Sequence, residues 1–188
     1  MESNTLENRD WKDISYLMKG NPRQKKVYRI LKQIEILELL EDFSPIVVGT
    51  IPLAIDIETS DLDIVCQFER EEDIRKIIVE YFGDYQNFTI RHMGIDAYAY
   101  NFWYEGCEIE VYASKAPTEH SNSYRHLLIA SRLISLYGDE FREEIIDLKK
   151  EGYLTERAIA KLLHLHGKTY ETIFKIENCS DSELMSLK

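Results

Sequence analysis

Between Val48 and Val65 the chain reads V-G-T-I-P-L-A-I-D-I-E-T-S-D-L-D-I-V, which places a Gly-Thr turn twelve residues ahead of two alternating carboxylates, Asp61 and Asp63. Period-two alternation in an extended strand sets Asp61 and Asp63 on one face and Leu62 and Ile64 on the other, the face that belongs to a core. Two carboxylates side by side repel one another. A hard divalent cation with oxygen ligands, such as magnesium or manganese, relieves that repulsion and can hold phosphate oxygens in turn. An exposed strand face can also carry two acids with no chemistry attached. The neighbouring sequence favours the chemical reading: Pro45-Ile46-Val47-Val48 is a buried strand running into Gly49-Thr50, and a small-residue turn with open amides can receive phosphate.

The rest of the chain supplies strands first and helices last. Asp10 to Met18 and Pro22 to Glu41 carry helical patterns, the second through Val27, Ile30, Leu31, Ile34, Leu37 and Leu40. Strands are expected at 45–50 and 61–67, then a helix over Glu69 to Tyr81 with acids in its first turn and Ile74, Ile77 and Ile78 on one stripe. Phe88 to His92, Asp96 to Tyr104 and Cys107 to Ala113 read as three further strands, the last two joined at Glu105-Gly106. From about Ser121 the pattern is helical. This order predicts an α+β protein, a small mixed sheet flanked by helices and followed by a C-terminal helical lobe. The one candidate boundary, Ala116-Pro117-Thr118, divides the chain into 1–116, an α/β core with N-terminal helices, and 117–188, the helical lobe, together one compact unit. The tail from Asn178 is expected to fray.

An apolar strand, a Gly-hydroxyl pair, a spacer and D-x-D, with a third acid on a later strand, resembles the DNA polymerase beta-like nucleotidyltransferase superfamily. The run G-T-I-P-L-A-I-D-I-E-T-S-D-L-D-I-V, with N-S-Y-R-H at 122–126 and L-K-K-E-G-Y-L-T-E-R-A-I-A-K-L-L at 148–163, is similar to one family within it, the DUF4269 proteins. The resemblance covers roughly residues 25 to 175, and its three motifs agree in order. It implies that Asp61, Asp63 and a third acid bind magnesium or manganese and are catalytic. It also implies that Gly49, Thr50 and Ser60 contact the β- and γ-phosphates of a nucleoside triphosphate. The third acid is Glu108 or Glu110; Glu110 has the apolar-acid-apolar frame, between Ile109 and Val111. Two departures stand out: Thr50 replaces the more usual Ser, and the third acid is Glu where Asp is common. The implied reaction is transfer of a nucleotidyl group to a small-molecule or protein acceptor, with pyrophosphate released. The alternative is a divergent domain that binds a nucleotide or protein partner without turnover, which the apolar spacer I-P-L-A-I favours. A third reading makes the acids a fortuitous strand face.

The helical half contributes Arg125, which could pair with a phosphate or with the carboxylates, and His126, which could act as a base near neutral pH. Both can equally be structural hydrogen-bonders. Lys149, Thr155, Glu156 and Arg157 form a second polar set, in which Thr155 reads as an N-cap. His164 and His166, two apart, do not share a helix face and make a poor metal pair. The twelve tyrosines and Trp103 fall where strands alternate, as packing residues.

A formal charge of −11 argues against nucleic acid as a partner, because tracking a phosphate backbone requires a basic face. With 44% apolar residues and no run of about eighteen of them, the chain is expected to be soluble and not a membrane protein. The polar start M-E-S-N-T-L-E-N-R-D lacks a secretory pattern. Cys66, Cys107 and Cys179 are odd in number and widely spaced, which argues against disulfides and zinc, so the expected compartment is a bacterial-type cytoplasm.

Overall fold

A computed structural model describes Leu6 and residues 9–167 and 172–188. Most of the amino-terminal stretch read for a leader, and four residues near the end of the matched pattern, lie outside the described residues. Five strands form one mixed sheet: β1 (Ile46–Val48), β2 (Leu62–Gln67), β3 (Gln86–His92), β4 (Ala97–Tyr104) and β5 (Cys107–Ser114). Their spatial order is β1-β2-β5-β4-β3. The β2–β5 pair is parallel, whereas β1–β2, β5–β4 and β4–β3 are antiparallel. A parallel neighbour requires a crossover. The chain between β2 and β5 provides it with a helix and the β3–β4 hairpin arm.

Among the described residues the α-helices are α1 (Ser15–Met18), α2 (Pro22–Ile34), α3 (Ile36–Leu39), α4 (Glu71–Phe82), α5 (Asn122–Lys150), α6 (Thr155–Leu162) and α7 (Asp181–Met185). Helix α2 starts where Asn21 accepts from the Gln24 amide and the Gln24 side chain accepts from the Asn21 amide, with Pro22 at the first helical position. The same Gln24 carboxamide donates to the carbonyls of Ile51 (2.9 Å) and Pro52 (3.2 Å), tying α2 to the loop beyond β1. Helix α5 begins at Ser121, whose hydroxyl accepts from the Tyr124 amide, and it is interrupted at Gly138 (φ 80°), a backbone conformation costly for any side chain. Ile30, Leu31, Ile64, Ile109, Val111, Leu133, Phe141 and Ile159, drawn from helices and sheet alike, belong to one continuous apolar core.

Several expectations need correction. The helix expected from Asp10 begins only at Ser15, because Asp10 and Asp13 accept from the Lys12 (2.9 Å) and Ser15 (2.8 Å) amides and hold the chain in turns. The long helix to Glu41 breaks at Glu35, which takes a left-handed conformation (φ 52°). Ile34 and Ile36 are both buried, and two positions that lie about 200° apart on a continuous helix could not both face one core. Thr155 is the first helical residue of α6; its N-cap is Leu154, with no side-chain cap. The tail does not fray. Ser180 and Glu183 form a capping box, Leu184 is buried, the Tyr137 hydroxyl donates to the Leu184 carbonyl, and Arg132 pairs with Asp181.

Candidate active site

The parallel pairing of β2 with β5 makes Asp63 and Glu110 direct register partners. On the other side Val48 is the partner of Asp63, so Gly49 begins its turn beside that carboxylate. The approach is close: a Cβ on Gly49 would lie 2.0 Å from Asp63 Oδ2, and the residue has a φ of 77°. No residue with a side chain could place the turn there. Gln24, through Ile51 and Pro52, fastens the far side of the same loop.

Burial pushes the Asp63 carboxyl well above the usual carboxylate range; the charges of Asp61 and Glu110 push the same way, and Lys149 pulls back. Lys149, near the end of α5, is only 7% exposed and donates from Nζ to the Ile55 carbonyl at 2.7 Å. Burial drives its ammonium down to about 8, while Asp56, Glu156, Asp63 and Asp61 hold it up. The local charge is therefore an acidic cluster with one buried lysine as its internal counter-ion.

Between the turn and the helices lies a cavity of about 280 Å³, lined by Gly49, Thr50 and Asp63, by Ser123 and His126 of α5, and by Thr155 and Glu156 of α6. His126 Nδ1 lies 3.1 Å from Glu156 Oε1, and its ring stacks on Phe174. Burial alone would raise the Glu156 carboxyl, but the hydrogen bond from His126, helped by its own backbone and the charges of His126 and Lys149, holds it below its usual value. A larger hollow of about 730 Å³ lies at the opposite end of β2, against α4, and reaches none of these acids.

Glu110 does not stand free. Arg91 Nη2 of β3 donates to its Oε2 at 2.6 Å, and buried Asn101 of β4 donates to the same oxygen at 3.2 Å. Ser60 serves its own turn, its hydroxyl accepting from the Ile57 amide (3.0 Å) and its carbonyl accepting from Arg23 (2.7 Å). Arg125 is engaged elsewhere: it makes two bonds to Glu177 (2.9 and 2.5 Å), lies over the Phe174 ring, and does not line the cavity. The fold thus brings together Gly49, Thr50, Asp63 and His126 around one cavity, with Glu110 beside Asp63, and leaves Arg125 outside it.

The donor set suits a hard divalent cation: carboxylate oxygens only, with a half-buried Asp63 whose charge is under-compensated. Asp63 lines the cavity, whereas Asp61 stands just before β2 and does not. Among the described residues no three His, Cys, Asp or Glu side chains are grouped to share a metal ion. Glu110 is held back by Arg91.

A family model described as "Domain of unknown function (DUF4269)" matches residues 29–176. The chain belongs to the DUF4269 family. No curated protein matches this DUF4269 chain in sequence. Among solved structures it is similar to the GLD-2/RNP-8 complex, with a TM-score of 0.54, 11% identity, 80% of this chain covered and 61% of the other. It is also similar to the Cid1 poly(U) polymerase bound to MgATP (TM-score 0.56, 9% identity, coverage 87% and 54%). A third is a cytoplasmic RNA terminal U-transferase (0.55, 9%, 82% and 48%). The chain thus spans between about half and three-fifths of the length of these neighbours. At such identities the likeness establishes the fold, which is nucleotidyltransferase-like.

Four residues around the candidate site of this DUF4269 protein were not singled out as site residues from the sequence. Lys149 and Glu156 appeared there only as members of a polar set on helices, and Asn101 and Arg91 as ordinary strand positions. An arginine on the non-core face of a strand was the one available signal for the last. It could not be read without the strand order that sets β3 two strands from β5.

Proposed function

We propose that the protein is a metal-dependent nucleotidyltransferase, which moves a nucleoside monophosphate group from a nucleoside triphosphate to a hydroxyl acceptor. The observation that carries this reading is the triple approach at one point of the sheet: Asp63 has Glu110 as register partner on one side and the Gly49 turn against its carboxylate on the other. Asp61 and Asp63 would hold magnesium or manganese, which supplies charge stabilisation for the triphosphate. The Gly49-Thr50 turn receives the β- and γ-phosphates through backbone amides and the Thr50 hydroxyl, with Ser60 nearby in sequence. Lys149 contributes a positive charge beneath the acids. Glu110, the register partner of Asp63, would join that cation's carboxylate set and orient the acceptor hydroxyl, taking its proton. The acceptor oxygen bonds to the α-phosphorus as the bond to the β-phosphate bridging oxygen breaks, and pyrophosphate leaves.

The net charge of −11 favours a small-molecule or protein hydroxyl over an RNA end as acceptor. The absence, among the described residues, of any helix long and apolar enough to cross a membrane is consistent with a reaction in aqueous surroundings. One observation favours the second reading, binding without turnover: Glu110 is tied to Arg91 and Asn101. The deciding experiment supplies each ribonucleoside triphosphate with Mg²⁺ or Mn²⁺ to the protein and to an Asp61→Asn/Asp63→Asn variant, following pyrophosphate release and heat of binding. Release lost in the variant supports transfer; binding without release supports the second reading; identical behaviour of the two proteins removes both.

A further inference from the structure

Asp63 and Glu110, register partners on β2 and β5, and Asp61 just before β2 would repel strongly if nothing positive lay among them. Two cations flank them. Lys149 approaches from the helical side and is buried, its Nζ bonded to the Ile55 carbonyl. The other, Arg91, lies on β3 at the edge of the sheet, with its side chain 52% exposed. It reaches diagonally across β4 to β5. In register Arg91 faces Ala99, and Asn101, one alternate position along β4, faces Glu110. The guanidinium bonds both, donating to Asn101 Oδ1 at 3.0 Å and to Glu110 Oε2 at 2.6 Å, while Asn101 Nδ2 donates to that same Oε2. The cluster is built rather than incidental. Asn101 is 7% exposed, its oxygen and its nitrogen are both used, and two donors, from Arg91 and Asn101, converge on one oxygen of one carboxylate.

We propose that Arg91 is a positioning residue that holds Glu110 as a built-in counter-cation and yields its carboxylate when a divalent cation enters beside Asp61 and Asp63. This rests on the reading of Glu110 as a metal-side acid. The physical ground is competition for one carboxylate charge: Glu110 Oε2 already accepts a charge-assisted bond and an amide bond, and a divalent cation drawn to that carboxylate both compensates the charge that holds the guanidinium and repels it. Arg91 is half exposed and mounted on an edge strand, so its guanidinium can swing into water at little cost. Lys149, buried and bonded to a carbonyl, cannot leave in the same way. Asn101 remains to orient Glu110 after the exchange. The arrangement keeps the acids from repelling one another in the empty protein and lowers its affinity for free metal.

The test is calorimetric titration of the full chain with Mn²⁺, without nucleotide, on wild type, Arg91→Gln, Asn101→Ala and Asp61→Asn/Asp63→Asn. Arg91→Gln should tighten Mn²⁺ binding by about fivefold, the worth of a charge-assisted hydrogen bond discounted for the exposure of Arg91. Asn101→Ala should not tighten it by that amount, since the arginine stays. In the wild type, Mn²⁺ should raise the rate at which phenylglyoxal modifies Arg91, read by peptide mass spectrometry against Arg125. That measurement decides the matter if Arg91→Gln does not fold. Unchanged or weaker Mn²⁺ binding in Arg91→Gln, or an unchanged Arg91 modification rate, overturns the proposal. If the double Asp variant nonetheless loses Mn²⁺, the functional reading survives that failure. If wild type and the double variant take up Mn²⁺ equally, both fall.

Discussion

Replacing Lys149 by Met tests the electrostatics of the site through stability alone. The ammonium falls from 10.5 to about 8 in the fold, chiefly because it is buried. At about 1.4 kcal/mol per pH unit, that gap is a burden of about 3 kcal/mol carried by the charged lysine. The unfolded chain keeps this proton up to 10.5 and the folded chain releases it near 8, so between these values the unfolded state binds more protons and wild-type stability rises with pH. By pH 10 the gain from this group is about 2.5 kcal/mol. Burial raises the Cys66 and Cys107 thiols, which pulls stability the other way above their unfolded values, but this is common to both proteins and cancels in their difference. Lys149→Met removes the burden and also leaves the Ile55 carbonyl without its donor, a cost of about 1–3 kcal/mol. At pH 7 the variant should therefore equal the wild type or exceed it by up to about 2 kcal/mol. At pH 10 the wild-type amine is largely neutral and still donates to Ile55, and the variant should fall about 0.5–2.5 kcal/mol behind. Urea titrations by tryptophan fluorescence at pH 7, 8, 9 and 10 give the difference directly. A difference flat within about 0.5 kcal/mol across that range would refute the reasoning, because it would mean that the lysine has its ordinary proton affinity in the fold.

Asp63→Asn should raise the melting temperature of the metal-free protein by a few degrees. Its carboxyl is pushed up by burial, so the wild type loses stability as pH rises from about 4, and the variant's advantage should grow over that range. A lower melting temperature at pH 7 would contradict the assigned burden. Gly49→Ala meets both a positive φ and the Asp63 oxygen, so it should cost about 1–3 kcal/mol in urea titration and weaken Mn²⁺ binding; full retention of both would mean the turn does not need that approach. Gln24→Ala loses two bonds to the 51–52 carbonyls and one half of a capping box, and should cost about 2 kcal/mol by chemical denaturation, with a loss under about 0.5 kcal/mol counting against its role as the loop's anchor.

Where the sequence succeeded, the signal was local. Alternation set Asp63 apart from buried Leu62 and Ile64 on β2, with Asp61 falling just before the strand, the Gly-Thr pair marked a turn, and acids in the first turn of α4 marked its start. The breaks at Glu35 and at Ser15 were not legible, since each depends on what the flanking residues bury or bond rather than on a breaker in the sequence. The docked tail was missed for the same reason: Ser180-Asp181-Ser182-Glu183 is polar throughout, and its anchorage lies in Arg132, Tyr137 and the core around Leu184.

By itself the sequence determined that Asp63 turns away from buried Leu62 and Ile64, and that a glycine turn precedes it, because strand periodicity and backbone sterics act over a few residues. It favoured Glu110 over Glu108, which shares its face of β5, only through the flanking Ile109 and Val111; that Glu110 is the register partner of Asp63 depends on the parallel pairing of β5 with β2. It could not bring Lys149 from 86 positions beyond Asp63 to the Ile55 carbonyl, or carry Arg91 across β4 to Glu110. Those juxtapositions depend on strand order and on where α5 packs. Both are set by burying one common core, and that is a property of the whole chain rather than of any segment.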